Sequence, residues 1–307
     1  MPLTALLLLV VAAALHTGWN LLVKRAVEKQ VFTWWAMLVG TACFAPLLAL
    51  SAPLPAAVWP YILTSALVET IYYLALLRAY SIGDFSLVYP LARGTAPAFL
   101  ALWAALFLGE RPRAGGIAGL ALLLAGLLLV GGAARRAALR QSSASSALAL
   151  QSSGAIVQPR RGVLAFAGTG TAAALAVACC ISIYSVIDAA AVKIAPPIPY
   201  TVAVIGASAL MMTPVVLARY GRQMVVAEWR SNWPRIVAVG ILTLITYALV
   251  LQAYSIGRVS YAGAVREVSV VFAALVGWRW LGEGFGGWRV TGAMLIFAGI
   301  LVIATLG

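Results

Sequence analysis

His16, Glu69, Arg93, Asp188, Arg266 and Glu267 all lie inside apolar sequence. An ionised side chain at the middle of a membrane helix costs roughly 2.5 to 3.5 kcal/mol on insertion scales, so each must face a cavity, a partner or an interface. The planar guanidinium forks of Arg93 and Arg266 suit a carboxylate or another anion. The same arginines also suit a structural role, paired with Glu69 or Glu267 and with helix-end carbonyls. Glu69 has Tyr72 and Tyr73 at i+3 and i+4, which puts an acid and an aromatic ring on one helical face. Such an acid can carry a proton or bind a substrate ammonium, or it can be held in a permanent ion pair with Arg93. His16, Trp19 and Asn20 share a face of one helix, and Tyr184 and Asp188 share a face of another, with Lys193 near enough in sequence to pair with Asp188. Tyr247 is a further deep aromatic, available as a cavity wall or a cation–π surface.

Behind these residues stands a duplication. Ala79-Tyr80-Ser81-Ile82-Gly83 recurs 174 positions later as Ala253-Tyr254-Ser255-Ile256-Gly257. The offset becomes 173 at Arg93/Arg266, at Leu108-Gly109-Glu110 against Leu281-Gly282-Glu283, and at Gly119/Gly292 and Gly126/Gly299. One residue is lost after the first block and the register then holds. Glu69 corresponds to Thr243, which has no charge, so the acid is not part of what the duplication preserved. The paired glycines permit close helix contact and suit scaffold helices or a homodimer face.

The elements that carry these residues are membrane helices. With 64% hydrophobic and 9% charged residues and a mean hydropathy of +1.01, the chain cannot cover a water-soluble globule with polar surface. At about 20 residues per crossing, the pattern predicts spans near 3–23, 31–50, 59–79, 86–108, 114–131, 163–187, 198–218, 234–255, 259–281 and 287–305. The fold class is an all-α integral membrane protein of ten transmembrane helices in two inverted five-helix repeats, 1–133 and 162–307. Residues 134–161 read as a flexible basic and Ser-rich linker. Met1–Val23 lacks a basic start and a cleavage site and reads as a retained first helix.

The formal charge of +13 sits in loops flanking the spans, which excludes a nucleic-acid-binding stripe. Lys and Arg crowd the loops after spans 1, 3, 5, 7 and 9, whereas the other side collects only Arg111, Arg113, Lys193 and Arg258. The positive-inside rule then places the linker in the cytoplasm and the termini outside. Homologous halves with opposite charge bias are inserted oppositely, giving a pseudo-two-fold axis in the membrane plane. Cys43, Cys179 and Cys180 lack metal-ligand spacing and read as small packing residues. Trp34, Trp35, Trp59, Trp229, Trp233 and Trp288 read as interface anchors. No Walker loop, Asp-rich diphosphate motif or His/Glu metal cluster is present, so no cofactor, metal or catalysis is expected. A lipid-modifying enzyme would need clustered acids or basic residues at one interface, and a sensor would need a soluble output domain.

Leu15-His16-Thr17-Gly18-Trp19-Asn20 with Lys24, Tyr184-Ser185-Val186-Ile187-Asp188, and the closing Leu-Gly-Glu of spans 4 and 9 together resemble the EamA-type ten-helix members of the drug/metabolite transporter superfamily. The resemblance covers nearly the whole chain outside the linker. It implies a bacterial-type cytoplasmic (inner) membrane protein with a cavity between its halves and alternating access. On that basis the expected partners are membrane lipid and a small-molecule substrate, an exported amino acid or a related amphipathic metabolite. A multidrug or organic-cation efflux carrier is the other transporter reading, with proton coupling through Glu69 open in both. The residues expected at the site are His16, Trp19, Asn20, Glu69, Tyr72, Tyr73, Arg93, Tyr184, Asp188, Tyr247, Arg266 and Glu267.

Overall fold

The computed structural model describes residues 1–24, 26, 28–82, 85–129, 132, 163–269, 271–272 and 287–307. The expected linker and Leu281-Gly282-Glu283 lie outside the described residues. All regular structure described is helical: α1 (Leu3–Lys24), α2 (Lys29–Leu50), α3 (Trp59–Ile82), α4 (Phe85–Phe107), α5 (Ala114–Leu129), α6 (Val163–Ala191), α7 (Pro197–Ile256), α8 (Val259–Arg266) and α9 (Gly287–Leu306), with one 3-10 turn at Ala56–Val58. Among the described residues, α1, α2, α6 and α7 are long and apolar enough to cross a membrane by themselves, and shorter apolar stretches occupy Ala92–Phe107, Ala114–Leu129 and Val290–Leu306.

α7 is two helices in one. Its 60 residues would extend about 90 Å if straight, three times the hydrocarbon thickness. At Gly221 the backbone leaves the helical region, with φ 69° and ψ 163°, a conformation open to a residue without Cβ. The two arms then run in opposite directions along α2. On the first arm the Trp34 indole donates to the Ala209 carbonyl (3.2 Å) and the Thr213 hydroxyl (3.0 Å), while a Cβ on Gly206 would press on Thr41. On the second arm the Trp35 indole donates to Val225 O (3.0 Å), and Gly240 lies against Ala36 and Gly40 backbone. The sequence reading expected a loop over 219–233. Except at Gly221 that stretch is helical, because its charges mark where apolar lining ends and not where the backbone must unwind.

Other elements exchange partners in a regular way. α1 packs on α7 and α8, while α6 packs on α3 and α4, which are the same neighbours with the halves swapped. The duplicated glycines do likewise. A Cβ on Gly119 would come within 2.8 Å of Gly299 O, and one on Gly126 within 2.5 Å of Gly292 O, so α5 and α9 cross antiparallel at backbone contact. These glycines make their close contact inside the chain, which is the scaffold-helix role considered for them.

Trp34 is buried, against its assignment as an interface anchor, because its ring fills the seam between α2 and α7. Trp59, Trp233 and Trp288 are exposed. Cys43 is exposed as well and does not pack in the core.

Candidate functional site

Two buried polar clusters occupy the middle of the helical assembly. The first is basic. Arg93 on α4 donates from Nη1 to Glu267 Oε1 at 3.2 Å, and Arg266 Nε lies 3.6 Å from the same oxygen. Glu267 is fully buried, while the two arginine side chains keep 15% and 13% exposure. One acid thus faces two guanidinium groups, leaving these three side chains with one net positive charge. His16 on α1 lies with Nε2 2.6 Å from Arg93 Nη2. Arginine only donates, so His16 Nε2 is the acceptor and its ring is neutral with hydrogen on Nδ1. The Trp19 ring meets the His16 ring edge-on, with centroids 4.7 Å apart.

The helix carrying Glu267 is broken there. α8 stops at Arg266, and a turn follows at Glu267–Val268, with Val268 N donating to Val265 O (3.0 Å). The span expected over 259–281 thus contains a turn at Glu267–Val268 before helix resumes at Ser269, and positions 270 and 273–281 of it lie outside the described residues. The interruption places the negative end of the α8 dipole beside Arg266, favourable for a cation. Thr17 Oγ1, within 3.0 Å of Ala13 O and 3.1 Å of Ser269 O, ties the segment after the break to α1. Irregular backbone is tolerated at this depth only inside protein or against a polar cavity.

The second cluster is acidic. Asp188 on α6 is wholly buried and accepts hydrogen bonds from Tyr200 Oη (2.6 Å) and from Tyr247 Oη, on opposite arms of α7. Glu69 on α3, also buried, has its Oε2 2.6 Å from Ser208 Oγ. Neither carboxylate has an ion-pair partner among the described residues. The alternative of a Glu69–Arg93 pair is therefore not what forms, because Glu267 lies nearer to Arg93. Nor does Lys193 pair with Asp188: its Nζ donates to the carbonyls of Tyr254 (3.0 Å) and Ser255 (3.3 Å) at the end of α7.

Tyrosines link the clusters. Tyr72 and Tyr73 on α3 lie 4.9 Å apart by ring centroid, and Tyr72 is 5.9 Å from Tyr184, one helical turn before Asp188. Beside the basic cluster, two buried polar atoms lack protein partners among the described residues: Trp19 Nε1 and Glu267 Oε2. Such atoms ask for water or a ligand. Of the twelve residues expected from sequence, eleven border one cluster or the tyrosines between them. Asn20 does not; it is exposed, and its Nδ2 donates to its own helix at His16 O (2.7 Å). Tyr200 and Ser208 were missed, because a tyrosine after a Pro-rich turn and a serine in an apolar run carry no signal of the face they present.

At the end of the assembly where α4 stops, the duplicated Leu-Gly-Glu has a definable job. Gly109 takes φ 65° just past α4, and Glu110 N donates to Ala104 O (3.1 Å), a Schellman-type ending. The Glu110 carboxylate then accepts from Val259 N (2.6 Å), Ser260 N (3.1 Å) and Ser260 Oγ (2.6 Å). It caps α8 from the other half of the chain, supplying acceptors to orphan N–H groups at a positive helix end.

Apolar helices around buried charges, with one helix broken beside them, define a multi-pass membrane protein with a polar centre of the kind transporters have. The profile of the EamA-like transporter family matches residues 3–132 and 168–305, and the chain belongs to that family. No curated protein matches significantly. A solved structure titled only "Crystal structure of protein" shares the fold, with a TM-score of 0.73, 19% identity, and coverage of 98% of this chain and 97% of the other.

Proposed function

We infer that the protein is a secondary carrier of the bacterial-type cytoplasmic membrane that exports a small zwitterionic metabolite, an amino acid or a close relative. Its ten spans form two inverted halves, 1–133 and 162–307, that rock about the polar centre to give alternating access. Support for the inversion comes from the glycine exchange, in which Gly119 meets Gly299 and Gly126 meets Gly292 across an antiparallel pair.

The observation that carries the substrate class is the separation of charge. Arg93 and Arg266 share one acid at one cluster, and Asp188 and Glu69 at the other have no ion-pair partner among the described residues. A substrate carboxylate fits the first and its ammonium the second, with Tyr72, Tyr73 and Tyr184 along the apolar body between. Trp19 and Tyr247 close the ends, and His16 holds Arg93 in place. Each substrate charge thereby meets its opposite in a medium of low dielectric, where pairing is strongest.

Purified protein in liposomes loaded with labelled amino acids tests this directly. The carrier should release at least one of them faster than protein-free liposomes do, and Arg93→Gln should slow that release at least tenfold. Release equal to the protein-free rate for the whole panel, from folded protein, refutes the reading.

A further inference from the structure

At the end of the assembly where Glu110 caps α8 lies a cavity of about 280 Å³, bounded by Arg113, Arg258 and Tyr261 and walled elsewhere by Met1, Ile256 and Gly307. Arg113 immediately precedes α5 in the first repeat, and Arg258 immediately precedes α8 in the second. Neither guanidinium has an ion-pair partner among the described residues. Glu110, three residues before Arg113, is committed to Val259 N, Ser260 N and Ser260 Oγ.

Tyr261 decides the sign of what fits. The residue is 1% exposed, and its Oη accepts from Arg113 N at 3.2 Å and from Arg258 Nη1 at 3.3 Å. A backbone N–H and a guanidinium only donate, so both partners occupy the phenol as an acceptor. Its own hydrogen has no acceptor among the described residues. The Arg258 guanidinium lies over the same ring, 5.5 Å from its centroid, which keeps the cation at the cavity wall. A Cβ on Gly116 would collide with Tyr261 Oη, so the hydroxyl sits against the first turn of α5, the positive end of that helix.

The duplication does not account for these groups. At the offset of 174 Arg258 answers to Asp84, and at 173 Arg113 answers to Gly286 and Gly116 to Arg289. Arg113 and Arg258 are also two of the four basic residues on the sparsely basic side of the chain, where Lys193 is taken up by the last carbonyls of α7. Two guanidiniums, a buried O–H and a helix N-terminus thus present donors to one small space.

We propose that this cavity binds a small oxoanion of the phosphate type, held between Arg113 and Arg258 with the Tyr261 hydroxyl as a third donor. A tetrahedral oxoanion has acceptor oxygens for both planar forks and for the phenol at once. The cavity is smaller than the roughly 300 to 1,000 Å³ of sites for drug-sized ligands, so the anion is a free ion or the phosphate of a lipid headgroup. The site shares no residue with the two polar clusters and stands whether or not amino acids are carried. Because its arginines come from opposite repeats, the bound anion joins the halves where Glu110 already joins them, and it favours the conformation in which both arginines reach it.

Thermal melting of the full chain, stripped of lipid in non-ionic detergent, tests the site with inorganic phosphate at an ionic strength held constant by chloride. A saturable rise in Tm is expected with phosphate and with sulfate. Arg113→Gln and Arg258→Gln should each weaken the apparent affinity about tenfold. Tyr261→Phe, which keeps the ring and removes the O–H, should weaken it about threefold. Arg222→Gln, beside the Gly221 elbow at the other end of the second arm of α7, should leave it unchanged. Phosphatidylglycerol, set against the uncharged diacylglycerol, identifies the source: stabilisation by the lipid and not by free phosphate, lost in Arg258→Gln, makes the headgroup the ligand and upholds the proposal. No saturable stabilisation of the unmodified protein by phosphate, sulfate or phosphatidylglycerol overturns it, whatever becomes of the variants. Stabilisation that survives both Arg258→Gln and Tyr261→Phe, or that Arg222→Gln weakens equally, overturns it as well.

Discussion

α1 and α6 occupy matching places in the two halves, yet their polar faces are in different states. On α6, Asp188 is sealed from solvent and bonded by Tyr200 and Tyr247. On α1, the corresponding stretch offers Asn20, which is exposed and bonded only to its own helix. Tyr73 stands 174 residues before Tyr247, the offset of the repeated pentapeptide, and packs beside Tyr72 instead of on an acid. The end of the assembly near Asp188 is also the end where Glu110 caps α8 and Lys193 holds the last carbonyls of α7. The scaffold is thus duplicated in kind, with glycine facing glycine, while the polar side chains of the two matched helices are sealed on α6 and exposed on α1. Symmetry belongs to packing, and asymmetry to the buried polar groups.

The comparison breaks most completely if the symmetric part is loose. Gly126→Leu puts a branched side chain where Gly292 O would lie 2.5 Å from its first carbon. Backbone of two helices must separate, so little folded protein should be recovered, with a similar loss for Gly299→Leu; size-exclusion chromatography in detergent reads both. A monodisperse Gly126→Leu protein would show that the glycine contact is dispensable.

Next is the basic cluster. Arg93→Ala strips the main partner from a fully buried Glu267, a change expected to cost about 3 to 5 kcal/mol. Arg93→Ala with Glu267→Gln should recover most of the lost thermal stability, because the stranded charge is gone. Equal melting temperatures for the single and double variants would mean that Arg266, 3.6 Å away, already compensates.

Removing the charge of the cap in Glu110→Gln should lower stability by about 1 to 2 kcal/mol, through lost charge-assisted bonds to Val259 and Ser260. Smallest of all should be Asn20→Ala, within about 0.5 kcal/mol, since an exposed side chain bonded to its own helix carries little packing. If Asn20→Ala destabilised as much as Glu110→Gln, the contrast between the two ends would be lost.

The legible part of this protein is what helical periodicity and repetition record. A constant offset identified Gly119, Gly126, Gly292 and Gly299 as matched, and their contact across α5 and α9 follows from that matching. Spacing put Glu69 beside Tyr72 and Tyr73, because three and four residues bring side chains to one face of any helix. Periodicity says nothing about which neighbour that face meets. Arg93 had Glu69 and Glu267 as candidate partners, and only the rotation of α4 against α8 decides between them. The break at Glu267–Val268 has no proline or glycine to announce it, so it reads as uninterrupted helix. Ser208 and Tyr200 are ordinary residues until Glu69 and Asp188 are brought to them.

Solvent access to the two matched positions tests the central claim, a polar face exposed on α1 and sealed on α6. In a background with Cys43, Cys179 and Cys180 replaced by serine, Asn20→Cys and Asp188→Cys would be reacted separately with a water-soluble maleimide, with and without a transported amino acid. The account predicts fast reaction at position 20 and slow reaction at 188 in the empty protein, with the difference shrinking or reversing during turnover. Equal rates at both positions, unchanged by substrate, would contradict it.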